Sequence, residues 1–321
     1  TNTVIVTTSG GGDNEGDIIF DSSAGPITSS SGNSLILAAR QFINNGSSLT
    51  FNVGGSLVFE VNQINPLETV PTSAIQAAHD AIGSVGGTST IVLGPGTFTG
   101  QTLSLSKTLT LQGSGPRATF LEGENSYRVV NNSGAATIAN LTIQNGNLSL
   151  YALDNNGGGI YNGPSSYSSN AHLILNNVTV TNNSTIASGG GIFNSTGSSL
   201  TLNNSTISNN MTMAEGSGLY SAGTLLLNQS SISNNEAKGG GAIWNEGLLT
   251  IIESTIDGNR SSTGGGIIND SDGTITLNQS VVSNNEAQAL GGGIWNDGTL
   301  TITESTISSN RNVNTDGGGI V

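Results

Sequence analysis

Chemistry in this chain has few residues to work with: 21 Asp and Glu, seven Lys and Arg, two His and no Cys among 321 positions. The carboxylates therefore come first. Glu246, Asp270 and Asp297 each follow an Ile-x-Asn phrase, so a structure that stacks those phrases also stacks three acids. Acids at strand spacing repel unless they splay into water or a cation bridges them, and calcium prefers such oxygen ligands. Glu246, Asp270 and Asp297 are thus the candidate metal residues, with solvated, screened carboxylates as the alternative. A second file reads Met211, Glu236, Arg260, Glu286, Arg311. Its alternating signs predict a surface ladder of ion pairs, each weak in solvent, that fixes register more than it adds stability. His79 has no second His or acidic cluster beside it in sequence and reads as a packing residue on or under a helix. No Gly-Gly-x-Gly-x-Asp calcium repeat, phosphate loop or Ser/His/Asp set is present.

These residues must be positioned by a repeat. Residues 225–269 and 275–320 are two versions of one passage: Trp244 recurs as Trp295, Glu253 as Glu304 and Arg260 as Arg311, each 51 positions on. Within that unit a shorter phrase places an aliphatic residue after a glycine run at Ile160, Ile192, Leu219, Ile243, Ile267, Ile294 and Ile320, the later steps being 24 to 27 residues. A fixed period of this length signals a solenoid. Runs such as Leu300-Thr301-Ile302 and Thr306-Ile307-Ser308 alternate with period two between Asn, Gly and Ser, which marks short half-buried strands and tight bends. Three such strands per repeat suit one coil of a parallel β-helix, with coils ~4.8 Å apart.

Stacking the repeats predicts columns. Leu200, Leu225, Leu249, Ile275 and Leu300 form one inner file, and Ile207, Ile232, Ile256, Val282 and Ile307 another. Asn162, Asn194, Asn245, Asn269 and Asn296 share a position, interrupted by Ser221, and stacked amides can bond along the axis. Tyr161, Phe193, Tyr220, Trp244, Ile268 and Trp295 fill the position before it, read as packing before ligand contact. Thr201, Thr250, Thr276 and Thr301, broken by Leu226, line an outward file; unbroken arrays of this kind can bind ice, while the breaks fit ordinary strand propensity.

Polarity comes from Asn, Ser and Thr. Charged residues are only 9% of the chain, against about 25% in ordinary globular domains. A net charge of −14 with seven basic residues argues against nucleic acid and anionic membranes as partners. No apolar run approaches a membrane span. The chain divides into a looser β segment over 1–65, a joint and helix over 66–83, and the regular array over 84–321. The helix is expected from Ser73 to Ile82, capped by Thr72 or Ser73, with Ile75, Ala78 and Ile82 on one face and Gly83 ending it. Such a helix would shield the open end of a solenoid. Longer connections over 144–172 and 181–190 predict loops projecting from their coils. A chain that lacks an initiator Met and stops inside a repeat is expected to be a segment of something longer.

Ile91-Val92-Leu93-Gly94-Pro95-Gly96-Thr97-Phe98 and Leu109-Thr110-Leu111-Gln112-Gly113, following a helix, resemble the pectate-lyase-like right-handed β-helix superfamily. Gly240-Gly241-Ala242-Ile243 resembles repeats of polymorphic outer-membrane proteins and related adhesins. Gly32-Asn33-Ser34-Leu35-Ile36-Leu37 and Phe42-Ile43-Asn44-Asn45-Gly46 resemble filamentous-haemagglutinin-type exoproteins of Gram-negative bacteria. The resemblances imply an all-β, right-handed parallel β-helix of ~25-residue coils with a short capping α-helix, secreted or carried on a Gram-negative cell surface. They imply a stalk, adhesin or extracellular fibre, with glycans or cell-surface components and end-to-end or lateral self-association as partners. Polysaccharide lyase or glycoside hydrolase activity is the alternative. Asn314-Thr315-Asp316-Gly317 is similar to one phrase of the polygalacturonase relatives, which makes Asp316 the catalytic candidate, but the Asp-Asp, Gly-His-Gly and Arg-Ile-Lys phrases of those enzymes are missing.

Overall fold

The computed structural model describes residues 4–7, 17–20, 27–29, 35–39, 41–44, 51–53, 55–61, 69–148, 155–164, 170–314 and 317–321. The chain winds into a parallel β-solenoid of about 9 turns, ~26 residues each. One coil shows the plan. Its strands are Ile267–Asn269, Thr274–Asn278, Val281–Ser283 and Glu286–Ala289. The sequence predicts three strands; there are four, because the Glu-Ala phrase also pairs with its neighbours through Arg260↔Glu286 and Glu286↔Arg311. Each strand has its counterpart one coil away as its parallel neighbour, so the coils build four faces.

Alternation dictates the burial. In Leu248–Ile252, Leu249 and Ile251 are fully buried while Leu248 is exposed. Leu200, Leu225, Leu249, Ile275 and Leu300 share one register, as do Ile207, Ile232, Ile256, Val282 and Ile307. Each aliphatic side chain taken from water contributes roughly 1.5–3 kcal/mol, and it does so against the coils directly above and below.

Corners are where a solenoid must turn without losing backbone hydrogen bonds. Two left-handed residues per coil do this, for example Gln279 (φ 47°) and Asn284 (φ 55°). Asparagine tolerates that conformation better than most residues. Where Gln or Glu stands instead, the side chains pair across coils: Gln229 Nε2 donates to Glu253 at 2.8 Å and Gln279 Nε2 to Glu304 at 3.0 Å. The glycine run makes a third corner. Gly264 has φ +56°, and a Cβ on Gly265 would lie 2.4 Å from the carbonyl oxygen of Gly292, so adjacent backbones touch there.

Three polar ladders fill the corners from inside. The Asn column runs Asn132→Asn162→Asn194 at 2.8 and 2.7 Å, ends on Ser221 Oγ at 3.0 Å, and resumes Asn245→Asn269→Asn296 at 2.8 Å each. A second, unbroken ladder links Asn183, Asn210, Asn235, Asn259, Asn285 and Asn310. Each of its first five members donates both its backbone N–H and its Nδ2 to the next Oδ1 at 2.9–3.0 Å. In the third, the backbone N–H groups of Ser205, Ser230, Ser254 and Ser280 each donate to the next coil's serine hydroxyl at 3.0–3.1 Å.

The helix spans Thr72–Ala81, and three expectations about it need correction. It does not close an end. Strands Leu35–Ala39, Leu57–Val61 and Ser89–Leu93 are successive parallel neighbours, so the stack continues on both sides of it. The helix replaces a strand within one coil and packs between Gln41–Asn44 and Leu103–Leu105. Nor is it capped by a hydroxyl: Pro71 occupies the N-cap, and Thr72 Oγ1 instead donates to the carbonyl of Gln101 at 2.8 Å. Gly83 does not end it either, since the chain turns extended at Ile82 and Gly83 lies in the strand Ile82–Val85. Ile75, Ala78 and Ile82 are buried as expected. Gln76 supplies what a neighbouring strand would have given: its Oε1 accepts from Ser104 N at 2.8 Å and its Nε2 donates to Ser104 O at 3.1 Å. His79, 2% exposed, accepts from Ser106 N on Nε2 at 3.0 Å, which leaves Nδ1 to donate to Asp80 at 2.8 Å.

Candidate functional site

The richest gathering of charge is a shallow groove of about 210 Å³ on the face built by the Glu-Ala strands. It is lined by Glu236, Lys238, Arg260, Ser262, Glu286 and Gln288, among others. Successive strands bring Glu236, Arg260, Glu286 and Arg311 into one register, as the repeat predicts. Arg260 Nη2 donates to Glu286 at 2.7 Å, and Arg311 Nε stands 3.8 Å from the other Glu286 oxygen. Glu236 is instead paired with Lys238, two residues along its own strand, at 2.8 Å.

This groove meets one requirement for glycoside hydrolysis and fails another. Glu236 and Glu286 lie two coils apart, about 10 Å, near the spacing of an inverting carboxylate pair. A general acid must carry a proton at the working pH. The hydrogen bond from Lys238 holds Glu236 below the usual carboxylate range, and the one from Arg260 does the same for Glu286. Glu286 in turn pushes Arg260 up, which keeps it from serving as a lyase base. The groove holds its charges in ion pairs.

The aromatic file adds a second surface. Tyr161, Phe193, Tyr220, Trp244, Ile268 and Trp295 share one register. The rings are half-exposed on the outer side of their face, while Ile268 is 1% exposed. Tyr161, Phe193 and Tyr220 stack with centroids 5.5 and 4.8 Å apart and planes within 6° and 3°. Rings stacked this way give their flat sides to one another and their edges to solvent, so they pack, though outside the core. The Arg128 guanidinium covers the Tyr161 ring at 5.0 Å.

Glu246, Asp270 and Asp297 border this file, following Asn245, Asn269 and Asn296 of the ladder. Glu246 accepts from Trp244 Nε1 at 3.2 Å. Burial, then a hydrogen bond to Glu246, pushes the Tyr220 phenol up. Asp270 accepts from the backbone of Ser271 at 2.8 Å. Among the described residues no three His, Cys, Asp or Glu side chains gather as a metal site would require. Asp316 and Thr315 lie outside the described residues, as do 149–154 and 165–169 of the longer connections.

A groove of about 560 Å³ opens beside the end of the helix and contains no carboxylate in its lining. Its one charge is Lys107, whose ammonium donates to the helix-end carbonyls of Asp80, at 2.7 Å, and Ile82, a favourable place for a cation. Burial lowers the Lys107 pKa, and Asp80 opposes that shift. On the face of the longest strands, Thr201, Leu226, Thr250, Thr276 and Thr301 share one outward register, and Thr206, Ser231, Thr255, Val281 and Thr306 another. Leu226 and the exposed Leu248 break the flat hydroxyl lattice that ice binding would need. No helix of the described residues is long and apolar enough to cross a membrane.

Comparison with protein-family models, curated proteins and solved structures finds no match to this chain. The parallel solenoid therefore rests on the structure itself, and the likeness to particular lyase, haemagglutinin or adhesin families remains a likeness of phrases.

Proposed function

We propose that this chain is a structural and adhesive rod, a segment of a secreted or surface-carried exoprotein that binds along its outer faces without turning its ligand over. One observation carries this reading: the ladder from Asn183 to Asn310 passes through six successive coils without a break. A cleft enzyme on a solenoid needs a coil that departs from the repeat to build a pocket, and these coils do not. What varies from coil to coil is outward: Glu236, Arg260, Glu286 and Arg311 on one face, and Tyr161 to Trp295 on another. Repeated side chains at fixed spacing suit weak, multivalent contact with glycans or cell-surface polymers.

The test is a panel of acidic and neutral polysaccharides, with and without calcium, scored both for retention of the protein and for release of reducing or unsaturated ends. Retention without product is expected. Product formation abolished by Asp316→Asn would overturn the proposal in favour of a lyase or hydrolase. A calcium requirement for retention, lost in Asp270→Asn, would assign Glu246, Asp270 and Asp297 to a metal.

A further inference from the structure

The charged face is self-complementary. Read along the axis, its column is Glu236, Arg260, Glu286, Arg311. Turn a second copy over by half a turn about a line lying in the face, perpendicular to the solenoid axis and midway between the Arg260 and Glu286 coils. Every charge then falls on its opposite: Glu236 on Arg311, Arg260 on Glu286, and the reverse. We propose that two copies of this chain pair side by side and antiparallel through this face, as an isologous dimer in which each residue's partner is its own complement.

Three observations support a second copy as the occupant. The chain carries −14, so two copies repel over most of their surfaces. Yet three of its seven basic residues, Lys238, Arg260 and Arg311, lie on this one face. The face is also available. Side-chain exposure is 45% at Glu236, 68% at Arg260, 28% at Glu286 and 65% at Arg311. Finally, the internal pairs leave donors over. A guanidinium has five N–H donors; Arg260 meets one carboxylate through Nη2, and Arg311 stands 3.8 Å from the same group. The same rotation sets Ser262 of one copy opposite Gln288 of the other, both lining the groove. Parallel, in-register pairing would oppose like charges all along the column, so the pattern selects the antiparallel arrangement.

The test is charge exchange followed by sedimentation at low ionic strength, with circular dichroism and thermal melting to confirm that each variant is folded. The parent should approach twice the monomer mass and revert to monomer in about 1 M salt, where screening acts within ~3 Å. Arg260→Glu alone and Glu286→Arg alone each oppose like charges across the two-fold, so each should be monomeric. Mixed in equal amounts they restore every pair and should dimerise, as should the double variant. A matched control, Thr250→Glu and Thr276→Lys on another face, each added to Arg260→Glu and then mixed, should stay monomeric. A parent that stays monomeric at low salt, single variants that dimerise as the parent does, or folded single variants that fail to pair on mixing would each overturn the proposal.

Discussion

At the scale of residues, the molecule is held by side chains that find themselves again one coil away. Ser221 is where this fails. It accepts from Asn194, but its hydroxyl does not reach Asn245, whose Oδ1 is buried without a partner. Ser221→Asn should complete the ladder, since the three-residue step to Thr224 matches the step from Asn245 to Leu248. Relieving a buried, unpaired acceptor is worth about 1–3 kcal/mol, readable as a higher denaturation midpoint. Asn259→Ala should do the reverse. It leaves the amide of Asn235 and the carbonyls of Ile232 and Asn285 with lost partners, costing roughly 2 kcal/mol or more for buried groups. An unchanged midpoint in either variant would show that the ladder does not bear load. The Asn245 column was legible because it sits beside a large aromatic landmark. The ladders through Asn259 and Ser254 recur as regularly, but a polar residue between strands reads first as a turn former. Only the stacked geometry shows that these amides and hydroxyls point inward.

At the scale of elements, the strands were legible from alternation, and the helix from its apolar face at Ile75, Ala78 and Ile82. Its role was not. What Gln76 and His79 bond to lies 27 or 28 residues further on, and local sequence does not carry that distance. The placement makes a pH prediction. Burial holds the His79 pKa below its ordinary 6.5, against the opposing hydrogen bond and charge of Asp80, with Lys107 adding to the lowering. A histidine depressed in the folded state binds its proton more readily when unfolded, so stability is present above about pH 6.5 and falls as pH drops below it. Protonation would also set a second N–H against that of Ser106. Unfolding followed between pH 8 and 5 should show this loss, and His79→Gln should flatten it; a flat parent profile would contradict the burial argument. Glu236 and Glu286 act in a separate window. Their depressed values mean their ion-pair contribution survives until pH falls below about 4.5.

At the scale of the whole molecule, the claim is one rod whose length is set by coil count and not by residue count. The outward file Thr110, Thr137, Ile174, Thr201, Leu226, Thr250, Thr276, Thr301 tests it. The chain has no cysteine, so paired labels can be introduced cleanly. Spin labels at Thr110→Cys and Thr301→Cys lie seven coils apart and should give one narrow distance near 34 Å, while Thr201→Cys with Thr301→Cys, four coils apart, should give about 19 Å. Both distances should hold when a polysaccharide that retains the protein is added, because a rod that binds on its faces does not close around a ligand. Broad distributions, distances that track sequence separation instead of coil number, or a shift on adding the polysaccharide would contradict the account.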